Sequence, residues 1–170
     1  MENSVLAYFL TFSTYGTRLH GRDTGSVDRD HNQFDTPLMD GNHRRAEFAR
    51  SRMRKGEYLL DEQRRRSVLQ AICDQANHRG WKLWAVHVRS DHVHVVISAA
   101  EISPERILVD LKAYSSRRLR EVFDEDADRM RWTRHGSTRY LWDEQSLSSA
   151  IHYVLERQGE SMSVFPVPVY

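Results

Sequence analysis

The sequence predicts an α+β fold of the ferredoxin-like type, with the order β-α-β-β-α-β, helices on one face of the sheet and a further C-terminal helix. Three observations lead to this prediction. Runs of aromatic and β-branched residues mark the strands. Two long segments have apolar residues at helical spacing. A break of one residue separates two strand segments in mid-chain, which favours a hairpin between the second and third strands.

The N-terminal part of the chain contains a strand and then an insertion. Residues 5–16 are rich in aromatic and β-branched types and end at Gly16, as expected for the first strand. Residues 20–57 carry several glycines and many Asp and Asn residues before a basic run. We interpret them as an ordered surface insertion with a short helix at 44–54.

The remaining elements follow from capping signals and from residue spacing. Asp61 is placed to cap a helix that Gly80 would end, and Ser103 precedes a Pro and a Glu at the start of another helix. Predicted elements are a helix at 61–79, strands at 81–90 and 92–99, a helix at 103–123, a loop at 124–136, a strand at 137–142 and a helix at 146–158. Gly159 would stop that last helix, which carries a tyrosine, and an extended tail would follow.

The composition bounds the possible classes of protein. The chain has 170 residues, 39% hydrophobic and 29% charged, which fits one globular domain over 1–170. A net charge of +1 neither favours nor excludes nucleic acid, so only local basic patches are informative. One cysteine, Cys73, excludes an internal disulfide framework and fits a cytoplasmic protein. No apolar run approaches the ~18 residues of a membrane span, so we expect no membrane partner.

The most informative segment reads Asp-His-Val-His-Val-Val. Because side chains alternate along a strand, His92 and His94 point to one face, whereas Val93 and Val95 point to the other, toward the core. Two imidazoles at this spacing can clamp a divalent metal and leave coordination positions open for substrate oxygens. The alternative is two solvent-facing histidines on a half-exposed sheet. His87, on the preceding strand, is expected to be structural.

Two tyrosines on predicted helices differ in their placement. Tyr153 falls outside the apolar stripe of the last helix, on its polar side, whereas a tyrosine kept only for packing more often joins the stripe. Tyr114 lies at the edge of the apolar face of its helix and is expected in the core. A tyrosine hydroxyl can act as a covalent nucleophile. Tyr153 is therefore a candidate nucleophile, with an ordinary surface tyrosine as the alternative.

Taken together, these features resemble the single-tyrosine HUH transposases, which include small insertion-sequence transposases and REP-associated tyrosine transposases. HUH denotes His, a bulky hydrophobic residue and His, here His92-Val93-His94. The resemblance covers most of the chain and includes YFLTFSTYGTRLHG, VRSDHVHVVIS, LKAYSSRRLR, RHGSTRYLWDE and AIHYVLERQG. The insertion at 20–57 is not part of the minimal core of that family.

The resemblance implies a DNA transposase that cleaves and rejoins single-stranded DNA through a 5′-phosphotyrosine intermediate. By motif position, Tyr153 would be the nucleophile, and His92 and His94 would hold a divalent metal, Mg or Mn. No nucleotide cofactor would be needed, because the phosphotyrosine keeps the energy of the broken phosphodiester.

The resemblance leaves the third metal ligand open. Many members supply Gln or Asn four residues after the tyrosine, and here that position is Arg157, a cation that cannot bind metal. Gln158, one residue later on a different helical face, or Glu156 would have to replace it. We expect Gln158 if the end of the helix is distorted.

The implied partner is single-stranded or hairpin DNA, and the relatives include both homodimers and monomers. We expect this DNA to be bacterial nucleoid DNA in the cytoplasm. The residues expected to contact DNA are Arg44, Arg45, Lys112, Arg117, Arg118 and Arg134. Aromatic residues such as Trp132, Tyr140 and Trp142 would stack on exposed bases.

Two other functions fit the same residues. Arg157, at the position of the missing ligand, suggests a domesticated hairpin-DNA-binding protein with little or no catalysis. An unrelated metal-dependent phosphoesterase could use the histidine pair, with Tyr153 incidental. Covalent capture of DNA on Tyr153 would separate the transposase from both.

Overall fold

The structure, a computed structural model, describes residues 4–17 and 56–166. The predicted short helix at 44–54, with Arg44 and Arg45, and almost all of the predicted insertion lie outside the described residues. The elements are β1 (Ala7–Ser13), α1 (Glu62–Arg79), β2 (Lys82–Val88), β3 (His92–Ser98), α2 (Pro104–Phe123), β4 (Ser137–Leu141), α3 (Glu144–Glu156) and β5 (Ser163–Phe165).

The five strands form one antiparallel sheet in the order β4-β1-β3-β2-β5. The first four strands in this order are those of the predicted β-α-β-β-α-β unit, so the fold class is confirmed. The hairpin between β2 and β3 is also confirmed. The short strand β5 extends the sheet beside β2, where the sequence had predicted only an extended tail.

The two faces of the sheet are covered by different helices. Alternate residues of β1 and β3, among them Leu10, Phe12, Val93 and Val95, pack with α1 and α2 in the larger core. The intervening residues of the strands, such as Phe9, pack against α3 in a smaller core. Two helices therefore share one face, as predicted, and the C-terminal helix covers the other.

The ends of the helices follow from local capping. Asp61 Oδ1 accepts a hydrogen bond from the backbone of Arg64, and Gly80 ends α1 at a φ of 68°. Ser103 caps α2 in the same way.

The predicted bounds of the last helix were wrong by two residues at each end. The helix begins at Glu144 rather than Ser146, because Asp143 and Ser146 form a reciprocal capping box. It ends at Glu156 rather than Gln158, because Arg157 leaves helical geometry at φ −109° and ψ 20°. Among the helices of the described ranges, none is long and apolar enough to cross a membrane.

Candidate functional site

The histidine pair lies on the face of the sheet that α3 covers. His92 and His94 project from β3 to this face, whereas Val93 and Val95 enter the larger core on the other side, as predicted. Both histidines are buried, at 6% and 7% exposure, so they are not the solvent-facing pair of the alternative interpretation. Their ring centroids are 4.7 Å apart.

Each imidazole is oriented through its Nδ1 atom. His92 Nδ1 lies 2.6 Å from the carboxylate of Asp91, and His94 Nδ1 lies 2.8 Å from the hydroxyl of Thr11. Thr11 stands directly opposite His94 in the pairing of β1 with β3. An oxygen partner on one ring nitrogen fixes the ring and directs the other nitrogen toward a metal. Nε2 is therefore the atom that each histidine would offer to a cation.

Tyr153 lies against His94, contrary to the prediction that it belongs to the polar side of its helix. Its ring packs edge-on against His94 at 5.8 Å and against Phe9 at 5.9 Å between centroids. Tyr153 follows buried Ala150 by three positions, so it lies beside Ala150 on the helix surface, at the margin of the apolar stripe. Tyr114 is 37% exposed on α2, so its predicted core position was also wrong.

Gln158 reaches the histidine pair from the chain that follows α3. Its Oε1 lies 3.1 Å from His94 Nε2, and its amide nitrogen donates to the backbone carbonyl of Tyr153 at 3.4 Å. The early end of α3 at Glu156 makes the contact with His94 possible, because Gln158 lies beyond the helix and does not have to follow helical geometry. The side chain of Glu156 is 68% exposed and lies 3.2 Å from His152. Of the two candidate third ligands, the structure brings Gln158 to the site.

The donor atoms at this position suit a divalent metal. Among residues 4–17 and 56–166, no three His, Cys, Asp or Glu side chains come together as a metal site. The set here is instead two imidazoles and one amide oxygen. His94 Nε2 and Gln158 Oε1 lie 3.1 Å apart, a hydrogen-bond distance at which the two atoms could also bind one cation. The residues therefore fit the metal that the sequence predicted.

Three of the residues predicted to bind DNA lie on α2, which covers the opposite face of the sheet. Arg117 forms an ion pair with Glu121 on the same helix, and Arg118 forms one with Asp74 on α1. Both ion pairs therefore lie on the helical layer, away from the histidines. The structure does not bring these arginines together with the candidate site.

Lys112, the third of these residues, has an internal role. Its ammonium donates to the backbone carbonyls of Thr133 and His135 at 2.8 and 2.9 Å. Burial lowers the pKa of Lys112 to about 8. Lys112 therefore ties the loop before β4 to α2.

Arg134 is exposed and lies near the site end of the sheet. The neighbouring Thr133 donates its backbone N–H to the carbonyl of Ser13, and Ser13 stands opposite His92. The segment that carries Arg134 is therefore bonded to β1 at the residue opposite His92.

The predicted aromatic contacts divide into one buried and two exposed residues. Trp132 is buried, packs edge-on against Phe12 and donates its indole N–H to the carbonyl of Lys112, so the prediction that it stacks on bases was wrong. Tyr140 and Trp142 are exposed and stack on each other at 5.7 Å and an interplanar angle of 15°. They lie at the edge strand β4 and are accessible to a base.

Sequence reasoning missed two residues of this site, Thr11 and Asp91. Asp91 directly precedes the first histidine, which was a usable signal, because metal-bound histidines commonly bind a carboxylate. Thr11 had no local signal, and Arg139 was distinguished only as one of several arginines in a basic segment. Arg139 on β4 pairs with Phe9 on β1, which places it on the histidine face, and burial lowers its pKa.

Comparison with known proteins identifies the family. The sequence model of the IS200-like transposases matches residues 50–155, which is more than half of the chain. The chain therefore belongs to the IS200-like transposase family, and the resemblance predicted from the sequence is confirmed. A search of the curated proteins returns no match.

Two solved structures are similar to the chain. One is a candidate transposase from Deinococcus radiodurans R1, with a TM-score of 0.47 and 17% identity over 89% of each chain. The other is a REP-associated tyrosine transposase bound to a REP hairpin, with a TM-score of 0.48 and 8% identity, over 89% of this chain and 65% of that chain.

Proposed function

We propose that this protein cleaves and rejoins single-stranded DNA through a covalent bond between Tyr153 and a 5′ phosphate. The observation that carries the proposal is the convergence of three side chains. The Tyr153 ring packs against His94, and Gln158 Oε1 lies 3.1 Å from His94 Nε2. Phosphoryl transfer of this kind needs a nucleophile next to metal-binding groups, and here a tyrosine lies beside two buried histidines whose rings are held in orientation.

The proposed step exchanges one ester for another. The Tyr153 hydroxyl oxygen attacks the phosphorus, forming the O–P bond, while the bond from phosphorus to the 3′ oxygen breaks. The tyrosine proton passes to solvent, and the leaving 3′ oxygen takes up a proton to become a hydroxyl. In the second step a 3′-hydroxyl of another strand attacks the phosphotyrosine, and Tyr153 regains its proton. No bond energy has to be supplied from a nucleotide.

His92, His94 and Gln158 would hold the divalent metal of this reaction. When bound, such a metal polarises the phosphoryl oxygen and stabilises the charge that develops on the departing oxygen. Of Mg and Mn, two imidazoles favour Mn, because Mg prefers an all-oxygen set of ligands. Asp91 and Thr11 keep the rings in the orientation that presents Nε2.

For the DNA strand, we propose an approach along the uncovered side of this face, near β4. Arg139 on that strand would contact a phosphate, and exposed Arg134 would contact the backbone beyond it. At the same sheet edge, Tyr140 projects to the opposite face beside Tyr8 and stacks on Trp142, and this pair would hold unpaired bases that cross the edge strand. Action on bacterial nucleoid DNA and a homodimeric state remain predictions from the sequence.

The alternative functions are less well supported by the site. The idea of a domesticated binding protein rested on Arg157 in place of a ligand, whereas Gln158 now offers an oxygen to the same histidine. Membership of a transposase family argues against an unrelated phosphoesterase.

Covalent capture tests the proposal. The protein would be incubated with labelled single-stranded hairpin oligonucleotides from the DNA that flanks its gene, with Mn²⁺, and then run on a denaturing gel. We expect an adduct that Tyr153→Phe and His94→Ala abolish. Tyr114→Phe is the matched control, because that tyrosine is on the opposite layer, and it should retain the adduct. Hairpin binding without any adduct would favour the domesticated protein.

Metal-dependent turnover that survives in Tyr153→Phe would instead favour the phosphoesterase.

A further inference from the structure

His87 is fully buried on β2, and the proposed reaction does not use it. It stands directly opposite His94 in the pairing of β2 with β3. Side chains of directly opposed residues project to the same face of an antiparallel sheet. His87 therefore lies under α3, beside the candidate site, and its role must be explained by what it contacts there.

The contacts of His87 fix its protonation state. The backbone N–H of Met162 donates to His87 Nε2 at 3.1 Å, and an amide N–H can only be a donor. Nε2 must therefore carry a lone pair, so the proton is on Nδ1, which lies 3.1 Å from the carbonyl oxygen of Val154. Burial also lowers the pKa of His87, which favours this neutral ring. The imidazole is thus one donor and one acceptor, both engaged by backbone.

These two backbone groups bracket the segment that contains Gln158. Val154 directly follows the candidate nucleophile, and its carbonyl lies in the last turn of α3, where carbonyls lack helical partners. Met162 lies four residues beyond Gln158, just before β5. Arg89, two residues after His87, donates to the carbonyl of Glu160 within the same segment. Strand β2 therefore holds the chain on both sides of Gln158.

We propose that His87 is a positioning residue that sets Tyr153 and Gln158 against His94. This inference rests on the proposed function. Without the imidazole, the chain after α3 would lose its attachment to β2 at Met162, and the last turn of α3 would lose its attachment at Val154. Gln158 would then no longer be held near His94 Nε2. His87 itself touches neither substrate nor metal in this role.

The test is a double-mutant cycle with Mn²⁺ as the probe. The wild type, His87→Leu, Gln158→Leu and the double variant would be titrated with Mn²⁺ and followed by the EPR signal of the free ion. We expect His87→Leu to weaken Mn²⁺ binding by about tenfold or more, the size reported for residues that orient ligands. The double variant should bind no more weakly than Gln158→Leu alone, because His87 acts through Gln158. If the role of His87 were merely structural, His87→Leu would leave Mn²⁺ affinity unchanged, or the affinity loss of the double variant would be the product of the losses in the two single variants.

Hydrogen exchange gives a second readout that needs neither metal nor DNA. Peptides that cover 153–162 should exchange faster in His87→Leu, and peptides from α1 should not. His87→Gln, which keeps one donor and one acceptor, should restore much of the protection and the Mn²⁺ affinity. His78→Leu, at an exposed histidine of α1, is the control and should match the wild type in both measurements.

The outcomes separate this inference from the proposed function. Wild-type affinity for Mn²⁺ in His87→Leu, or unchanged exchange over 153–162, would overturn the role of His87. A wild-type protein that binds no Mn²⁺ and forms no DNA adduct would overturn the proposed function. Hydrogen exchange over 153–162 would then still test whether His87 attaches this segment to β2. If His87→Leu does not fold, Arg89→Met removes the other attachment from outside the core and should raise exchange around Glu160.

Discussion

The Nε2 atom of His94 and the Oε1 atom of Gln158 lie 3.1 Å apart, although the residues are 64 positions apart in the chain. The contact depends on a helix that stops early. Because α3 ends at Glu156, the following residues turn back toward β3, and Gln158 takes up a position near the histidine. A metal ligand can therefore come from the fifth position after the tyrosine rather than from the fourth.

We expect Gln158→Leu to weaken Mn²⁺ binding by about tenfold or more, since it removes one of the three proposed donors. EPR titration of free Mn²⁺ measures this directly. Glu156→Gln is the matched control, because that carboxylate is exposed beside His152 and should leave the affinity unchanged. The reverse result, with Glu156 required and Gln158 dispensable, would assign the third ligand to Glu156.

We expect Thr11→Val to reduce Mn²⁺ affinity or the rate of adduct formation by about 10- to 100-fold. The substitution keeps the shape of the side chain but removes the oxygen that orients His94 through Nδ1. Thr138→Val is the control, because Thr138 faces the other layer and binds Glu105. Equal effects of the two substitutions would show that a general loss of stability, rather than orientation of His94, is responsible.

We expect Arg139→Gln to weaken single-stranded DNA binding and to lower the slope of log affinity against log salt by about one. Fluorescence anisotropy at several salt concentrations would measure both. Arg117→Gln on the opposite layer is the comparison, and its slope should equal that of the wild type. A lower slope for Arg117→Gln alone would place the DNA along α2, as the sequence first suggested.

We expect Glu125→Gln to destabilise the protein by about 2 kcal/mol at neutral pH, because it breaks a partly buried charge network. Tyr58, Arg64 and Arg131 each donate to this carboxylate at 2.7 to 2.8 Å. Burial acts to raise the pKa of Glu125, but hydrogen bonds from these three residues outweigh it, so the pKa lies below its ordinary value. Urea unfolding at a series of pH values would measure the effect.

The direction of the pH effect follows from the lowered pKa. A carboxyl group whose pKa is lower in the folded state stabilises the protein fully above its unfolded pKa, ~4.3 for glutamate, and loses this stabilisation as the pH falls toward the folded pKa. Wild-type stability should therefore fall in this acid range, and Glu125→Gln should flatten that part of the curve. Glu156→Gln, at an exposed carboxylate outside this network, should leave the curve close to the wild type. An unchanged acid slope in Glu125→Gln would contradict this account.

The local sequence determined most of the elements and one part of the site. Asp61, Gly80 and Ser103 marked helix ends correctly, because a cap depends on hydrogen bonds within a few residues. The shared face of His92 and His94 followed in the same way from alternation along one strand. Such features involve only near neighbours, so a single sequence contains the information for them.

The tertiary structure alone decided which residues complete the site. Thr11 and Arg139 join the histidine face through the register of β1 with β3 and β4, which long-range packing sets. The same packing gave Lys112 an internal role and turned Tyr153 toward Phe9. Sequence periodicity assigns a residue to one face of its own element. Which groups of other elements meet that face depends on strand pairing and on where a helix ends, and these are properties of the whole fold.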